Sequence, residues 1–187
     1  MPMASRTRAP RHWPHEIRYI RSQCYHSSLP AAIRSYIDGT DGFSDVSPKA
    51  PAGQSPPVTI QRISSPSHPA YGQYGLFASK KIPPRTHIIV YAGEVHCDDR
   101  PDSDYDLSLH RAQGGVNVGV DASTMGNEAR FINDFRGVRE KPNASFVDDR
   151  GPLGELRMSI WSVGEGIKKG EEILVSYGKS WWHSRCK

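Results

Sequence analysis

At 187 residues and 36% apolar content, the chain suits one domain with an appendage, and part of it is expected to lie outside a core. The net charge of +4 is unevenly spread, because Arg6, Arg8, Arg11, Arg18, Arg21 and Arg34 face only Glu16 at the N-terminal end. No apolar run approaches the roughly 20 residues of a membrane span, no apolar centre of a signal peptide opens the chain, and the scattered Cys24, Cys97 and Cys186 form no local zinc cluster. Sparse, unpaired cysteines suit a reducing compartment, so a soluble intracellular protein is expected, with the nucleus and the cytoplasm both open.

Residues 1–46 read as a basic N-terminal extension with two helix-capable pieces. One covers residues 15–22, where Ile17, Ile20 and Arg21 give a weak amphipathic spacing. The other covers residues 31–37, with Ile33, Tyr36 and Ile37 on one face and Gly39 and Gly42 to end it. The arginines make this arm a solubilising tail or a contact for nucleic acid or an acidic partner. Residues 47–69 form a Pro/Ser-rich linker. Within it, residues 58–63 alternate apolar and polar, as an edge strand flanked by prolines would.

From Tyr71 the texture changes to short β-runs separated by turns. Residues 76–78 are apolar, and residues 87–91 form a β-branched strand candidate. Residues 98–106 are acidic and turn-like, and a helix is expected over 103–111, broken by Gly114 and Gly115. Further strands are expected at 116–120, 158–163 and 173–177. Short strands at this spacing predict a mainly β fold with few helices.

One stretch fits neither period. It runs Gly126-Asn127-Glu128-Ala129-Arg130-Phe131-Ile132-Asn133-Asp134, with Pro142-Asn143-Ala144 after it. Its composition predicts a tight loop held by side-chain hydrogen bonds to backbone. These two motifs, followed by Glu171-Glu172-Ile173-Leu174-Val175-Ser176-Tyr177-Gly178, resemble the SET domain of protein lysine methyltransferases. Tyr74-Gly75-Leu76-Phe77-Ala78 and Tyr91-Ala92-Gly93-Glu94-Val95 precede them in the family's order. The resemblance covers residues 70–182 and leaves 183–187 as a tail.

The resemblance implies the SET (β-clip) fold, small curved sheets with a C-terminal pseudoknot. It also implies an S-adenosylmethionine-dependent protein-lysine N-methyltransferase, a basic histone-like tail as substrate, and chromatin in the nucleus as the favoured setting. Methyl transfer to lysine needs no metal. It needs a deprotonated amine, a confined approach and a near-attack pose. A free lysine has a pKa of ~10.4, and a narrow apolar channel lowers it by disfavouring the ammonium.

By the resemblance, Tyr177 is the catalytic tyrosine and Tyr91 a second aromatic on the substrate side; read alone, either is a strand tyrosine packed in the core. Asn133 and Asp134 match the Asn-His pair that holds the adenine, with Asp134 in the place of the histidine. Phe135-Arg136 likewise replace Ser-Cys, and Arg130 and Phe131 match cofactor positions. Tyr74 and Gly75 match the end of a Gly-x-Gly whose first glycine is here Gln73. By the resemblance, Trp181 is a tail aromatic that would cover the adenine or wall the channel; read alone, it is a tail tryptophan capping the core edge. Asp102, Asp104 and Asp106 would border the peptide groove, or form a solvated face. Val175 lies where some relatives carry a product-limiting Phe or Tyr. The alternative is a catalytically silent SET module that binds peptide or chromatin. A third reading, nucleic-acid binding by the N-terminal arm, lacks any reader motif.

Overall fold

The computed structural model describes residues 8–40 and 56–178. Among these the chain is mainly β, with thirteen short strands and one α-helix. In order they are β1 (Arg18–Tyr19), β2 (Cys24–Tyr25), α1 (Ala31–Asp38), β3 (Val58–Arg62), β4 (Tyr74–Ala78), β5 (His87–Val90) and β6 (Glu94–His96). Then follow β7 (Asp106–Arg111), β8 (Asn117–Asp121), β9 (Met125–Gly126), β10 (Asn133–Asp134), β11 (Ala144–Arg150), β12 (Leu156–Ser162) and β13 (Leu174–Val175). The sheets are small: a four-stranded one ordered β2-β6-β8-β7, a three-stranded one ordered β11-β12-β5, and the pairs β1-β9, β3-β4 and β10-β13. No helix among the described residues is long and apolar enough to cross a membrane.

The chain divides into two compact units. The first is built from the described residues of Met1–Ser55, with Val90–Arg130 and Val147–Ser159. The second is built from Pro56–Ile89, Phe131–Phe146 and the described residues of Ile160–Lys187.

In the first unit, β8 runs between β6 and β7 with Val118 and Val120 fully buried. The N-terminal segment joins this unit: β1 pairs in parallel with β9, and β2 in parallel with β6. The helix expected over residues 15–22 is absent and β1 stands in its place, because two ladder pairings offered to the backbone outweigh a weak helical spacing that follows Pro14. The helix expected over 31–37 forms as α1 and buries Ile37 completely. Gly39 ends it at φ 76°, while the Thr40 amide donates to Ser35 O. A Cβ on Gly39 would also lie 2.6 Å from the carbonyl carbon of Gly154, so this stop admits only glycine on two counts. The helix expected over 103–111 is likewise a strand, β7. Leu107 and Leu109 alternate within it, and antiparallel pairing with β8 runs its length past a bulge between Ser108 and His110.

In the second unit, β3 and β4 form an antiparallel hairpin from Val58↔Ala78 to Arg62↔Tyr74, so the alternating stretch inside the proline-rich segment is a strand. The expected last strand shortens to β13, which pairs in parallel with β10. Asn143 holds this C-terminal segment: its Nδ2 donates to Glu172 O at 2.8 Å and its Oδ1 accepts from the Leu174 amide at 2.8 Å.

Candidate active site

The second unit brings together Tyr74, Gly75, Phe131, Asn133, Asp134, Val175 and Tyr177. Parallel pairing of Asn133 with Leu174 and of Asp134 with Val175 sets the loop stretch beside the C-terminal segment. Gly75 lies in β4 and not in a turn; a Cβ there would sit 2.6 Å from Glu172 Oε1 and 3.2 Å from Asn133 Nδ2. Glycine here leaves room for the Glu172 carboxylate rather than supplying backbone freedom. Asn133 Nδ2 donates to Glu172 Oε1 at 2.9 Å and more weakly to Tyr74 O at 3.4 Å. The Phe131 ring is buried and meets the partly exposed Tyr74 edge-on, with centroids 6.2 Å apart.

The Asp134 side chain is engaged within the protein. Its carboxylate accepts from the Tyr177 amide at 2.8 Å, and from the Arg136 amide and guanidinium at 2.9 and 2.8 Å. A carboxylate can only accept, so this residue ties two backbone segments where a histidine would present a ring. Tyr177 is held at both ends, because its hydroxyl also donates to Ile132 O at 2.6 Å. Its ring is neither fully buried nor fully exposed. Val175 is wholly buried. Trp181 lies outside the described residues.

The first unit holds Tyr91, Arg130 and the acidic run. Tyr91 is buried, its amide donates to Met158 O and its hydroxyl donates to Tyr105 O, each at 2.8 Å. Asn127 clamps the backbone on both sides of it: Nδ2 donates to Val90 O at 2.7 Å and Oδ1 accepts from the Ala92 amide at 3.2 Å. This is the side-chain-to-backbone bonding that the composition of the 126–134 stretch predicts. Arg130 stacks its guanidinium 4.1 Å over the Tyr105 ring, and its Nε donates to Ala122 O.

The acidic run is less uniform than its composition suggests. Asp106 meets the buried His96, whose Nε2 lies 3.0 Å from Asp106 Oδ1. Asp102 and Asp104 are exposed. Arg100 gathers Glu94 at 2.8 Å, Asp121 at 3.1 Å and Asp98 at 3.2 Å. Hydrogen bonds from Ser28 and then Arg100 hold the Asp98 carboxyl well below the usual carboxylate range. Burial pushes the Asp121 carboxyl up, but hydrogen bonds from Ser103, Ser123 and Arg100 outweigh it and hold it below its ordinary value.

Comparison with known proteins places this arrangement. The SET domain family model matches residues 73–178, more than half of the chain, and the protein belongs to that family. Histone-lysine N-methyltransferase EHMT1 of Homo sapiens is 29% identical over 118 residues, which is 61% of this chain and 9% of that relative's length. The chain thus spans less than a tenth of the curated relative it matches. ATXR5, solved in complex with histone H3.1, shares the fold with a TM-score of 0.63 at 18% identity, covering 87% of this chain and 81% of that one. The Polycomb Repressive Complex 2 of Chaetomium thermophilum, bound to GSK126, matches with a TM-score of 0.53 at 24% identity, over 67% of this chain and 16% of that one.

Sequence reasoning singled out neither His68 nor Glu172. Their side chains meet in the second unit at 3.0 Å, although 104 positions separate them. Glu172 sits inside a family motif, but nothing local in the sequence marks its partner.

Proposed function

We propose that the chain is an S-adenosylmethionine-dependent protein-lysine N-methyltransferase acting on a basic, histone-like tail in nuclear chromatin. The observation that carries this reading is the junction of Ile132, Asn133 and Tyr177. The Tyr177 hydroxyl donates to Ile132 O, one residue before Asn133. Among the described residues, Asn133 Oδ1 has no hydrogen-bond partner. The donor set fits the cofactor. Asn133 Oδ1 offers an acceptor suited to the exocyclic amine of adenine. The cofactor supplies an electrophilic methyl on sulfonium sulfur.

The chain's own residues would do the rest. Tyr177 donates its proton to Ile132 O, so toward an incoming amine its oxygen would act as an acceptor. Holding the tyrosine by its hydroxyl and by its amide fixes that acceptor before substrate arrives. Asp102 and Asp104 would draw in a basic segment through exposed negative charge. Histone is the substrate class because EHMT1 is by name a histone-lysine N-methyltransferase and ATXR5 was solved with histone H3.1.

The test is incubation of the full chain with methyl-labelled S-adenosylmethionine and a histone panel, read by mass spectrometry. The expected result is label on lysine side chains. Binding of S-adenosylhomocysteine without any transfer would instead identify a silent module. Absence of both binding and transfer would remove the methyltransferase reading.

A further inference from the structure

We infer that His68 and Glu172 are positioning residues that lock the Asn133 side-chain amide with its carbonyl oxygen turned outward as the acceptor for the cofactor; this rests on the cofactor reading above. A carboxamide is nearly symmetric in shape, so only its neighbours decide which end is oxygen. Asn133 has two neighbours on one side, the Glu172 carboxylate at 2.9 Å and the Tyr74 carbonyl at 3.4 Å. Both are acceptors, so the NH2 must face them and the oxygen must face the other way.

Glu172 is itself held. Its second oxygen, Oε2, meets His68 Nε2 at 3.0 Å, and both side chains are only 8% exposed. The other ring nitrogen, His68 Nδ1, accepts from the Ala70 amide at 3.0 Å. Nδ1 therefore carries no proton, and Nε2–H donates to Glu172. The bonds form one chain, Ala70 to His68 to Glu172 to Asn133, in which the Glu172 carboxylate accepts from His68 Nε2–H on one oxygen and from Asn133 Nδ2–H on the other. The glutamate is rooted by Asn143, which donates to its carbonyl oxygen. Glycine at position 75 leaves the space its carboxylate fills.

The device has an unambiguous failure. Glu172→Gln keeps the shape of the side chain but replaces one acceptor with a donor. Either orientation then sets NH2 against the Asn133 NH2 or against His68 Nε2–H. Removal of His68 leaves Glu172 free to turn away. In both cases Asn133 can flip and offer its NH2 where its oxygen is needed.

The experiment is calorimetry of S-adenosylhomocysteine with the full chain, comparing wild type, Glu172→Gln, His68→Ala, His68→Gln, Asn133→Ala and the Glu172→Gln/Asn133→Ala pair. Thermal unfolding of each checks folding. Glu172→Gln and His68→Ala are expected to weaken binding by about three- to tenfold, the worth of one misdirected buried hydrogen bond. His68→Gln, which can still donate to the carboxylate, recovers most of the loss. The double variant binds no worse than Asn133→Ala alone, because both changes act through one amide. The KM for a peptide stays at its wild-type value. If wild type binds and the Glu172 and His68 variants bind equally well, or if the cycle is additive, the positioning role is overturned while the cofactor reading stands. If folded wild type does not bind at all, the cofactor reading falls, and this inference with it. His68→Ala lies in the β3–β4 loop and keeps the test available should Glu172→Gln fail to fold.

Discussion

Replacing Arg100 with Met is expected to destabilise the first unit at neutral pH and to do so much less in acid. The guanidinium is 16% exposed and bridges Glu94, Asp121 and Asp98 at 2.8, 3.1 and 3.2 Å. Asp121 is only 3% exposed, so its loss of a cationic partner matters most. Breaking a buried pair by deleting one member costs about 3–5 kcal/mol, but Asp121 keeps the Ser103 hydroxyl at 2.8 Å and the Ser123 amide at 2.9 Å. Asp98 is 42% exposed and its share is small. The expected loss is therefore about 3 kcal/mol at pH 7, or a fall in Tm of roughly 6–12 °C for a chain of this size. Asp98 and Asp121 both have folded-state pKa values below the ordinary 3.8. A depressed carboxylate stabilises the fold above its unfolded pKa and loses that contribution as pH falls through the folded value. The gap between wild type and variant should thus be full at pH 7 and shrink below about pH 4. Thermal unfolding at pH 7, 5 and 3 measures it. An Arg100→Met protein as stable as wild type at pH 7, or a gap that stays constant down to pH 3, would refute the assignment of these ion pairs.

Two further outcomes follow from the geometry. Gly39→Ala should cost about 2–4 kcal/mol in thermal or denaturant unfolding, from the left-handed backbone and the 2.6 Å approach to Gly154; an unchanged midpoint would show that α1 does not stop as described. Asp102→Asn with Asp104→Asn should raise the KM for a basic peptide about two- to fivefold at low salt, an effect that fades as salt rises. Asp106 is left out of that pair because its carboxylate meets His96, and unchanged kinetics at low salt would leave the run a solvated face.

Much of the fold was legible in the sequence because its signals are local. Alternation marked β3, the glycine after Asp38 marked the end of α1, and the composition of residues 126–134 announced side-chain clamps of the kind Asn127 supplies. The failures share a cause. β1 and β2 are two residues long and carry no period, so only their distant partners in β9 and β6 reveal them. β7 did alternate through Leu107 and Leu109, but its acidic and serine-rich approach favoured a turn leading to a helix. The motif order pointed to Asn133 and Tyr177. It could not show that Asp134 would hold the Tyr177 backbone, or that a histidine in the β3–β4 loop would brace Glu172. Those contacts join residues 43 and 104 positions apart, beyond the reach of any local pattern.

The central claim is that Tyr177 serves methyl transfer and is not merely a packed tyrosine. Tyr177→Phe keeps the ring and removes the hydroxyl that donates to Ile132 O at 2.6 Å. Single-turnover methylation of one lysine peptide by both proteins, followed from pH 7 to 10 around the free lysine pKa of ~10.4, tests it directly. The wild-type rate should rise with pH as the amine sheds its proton. The variant should be slower by about ten- to a hundredfold, or about 1.4–2.7 kcal/mol, with S-adenosylhomocysteine affinity little changed. Equal rates for a folded Tyr177→Phe protein and wild type across that range would contradict the account.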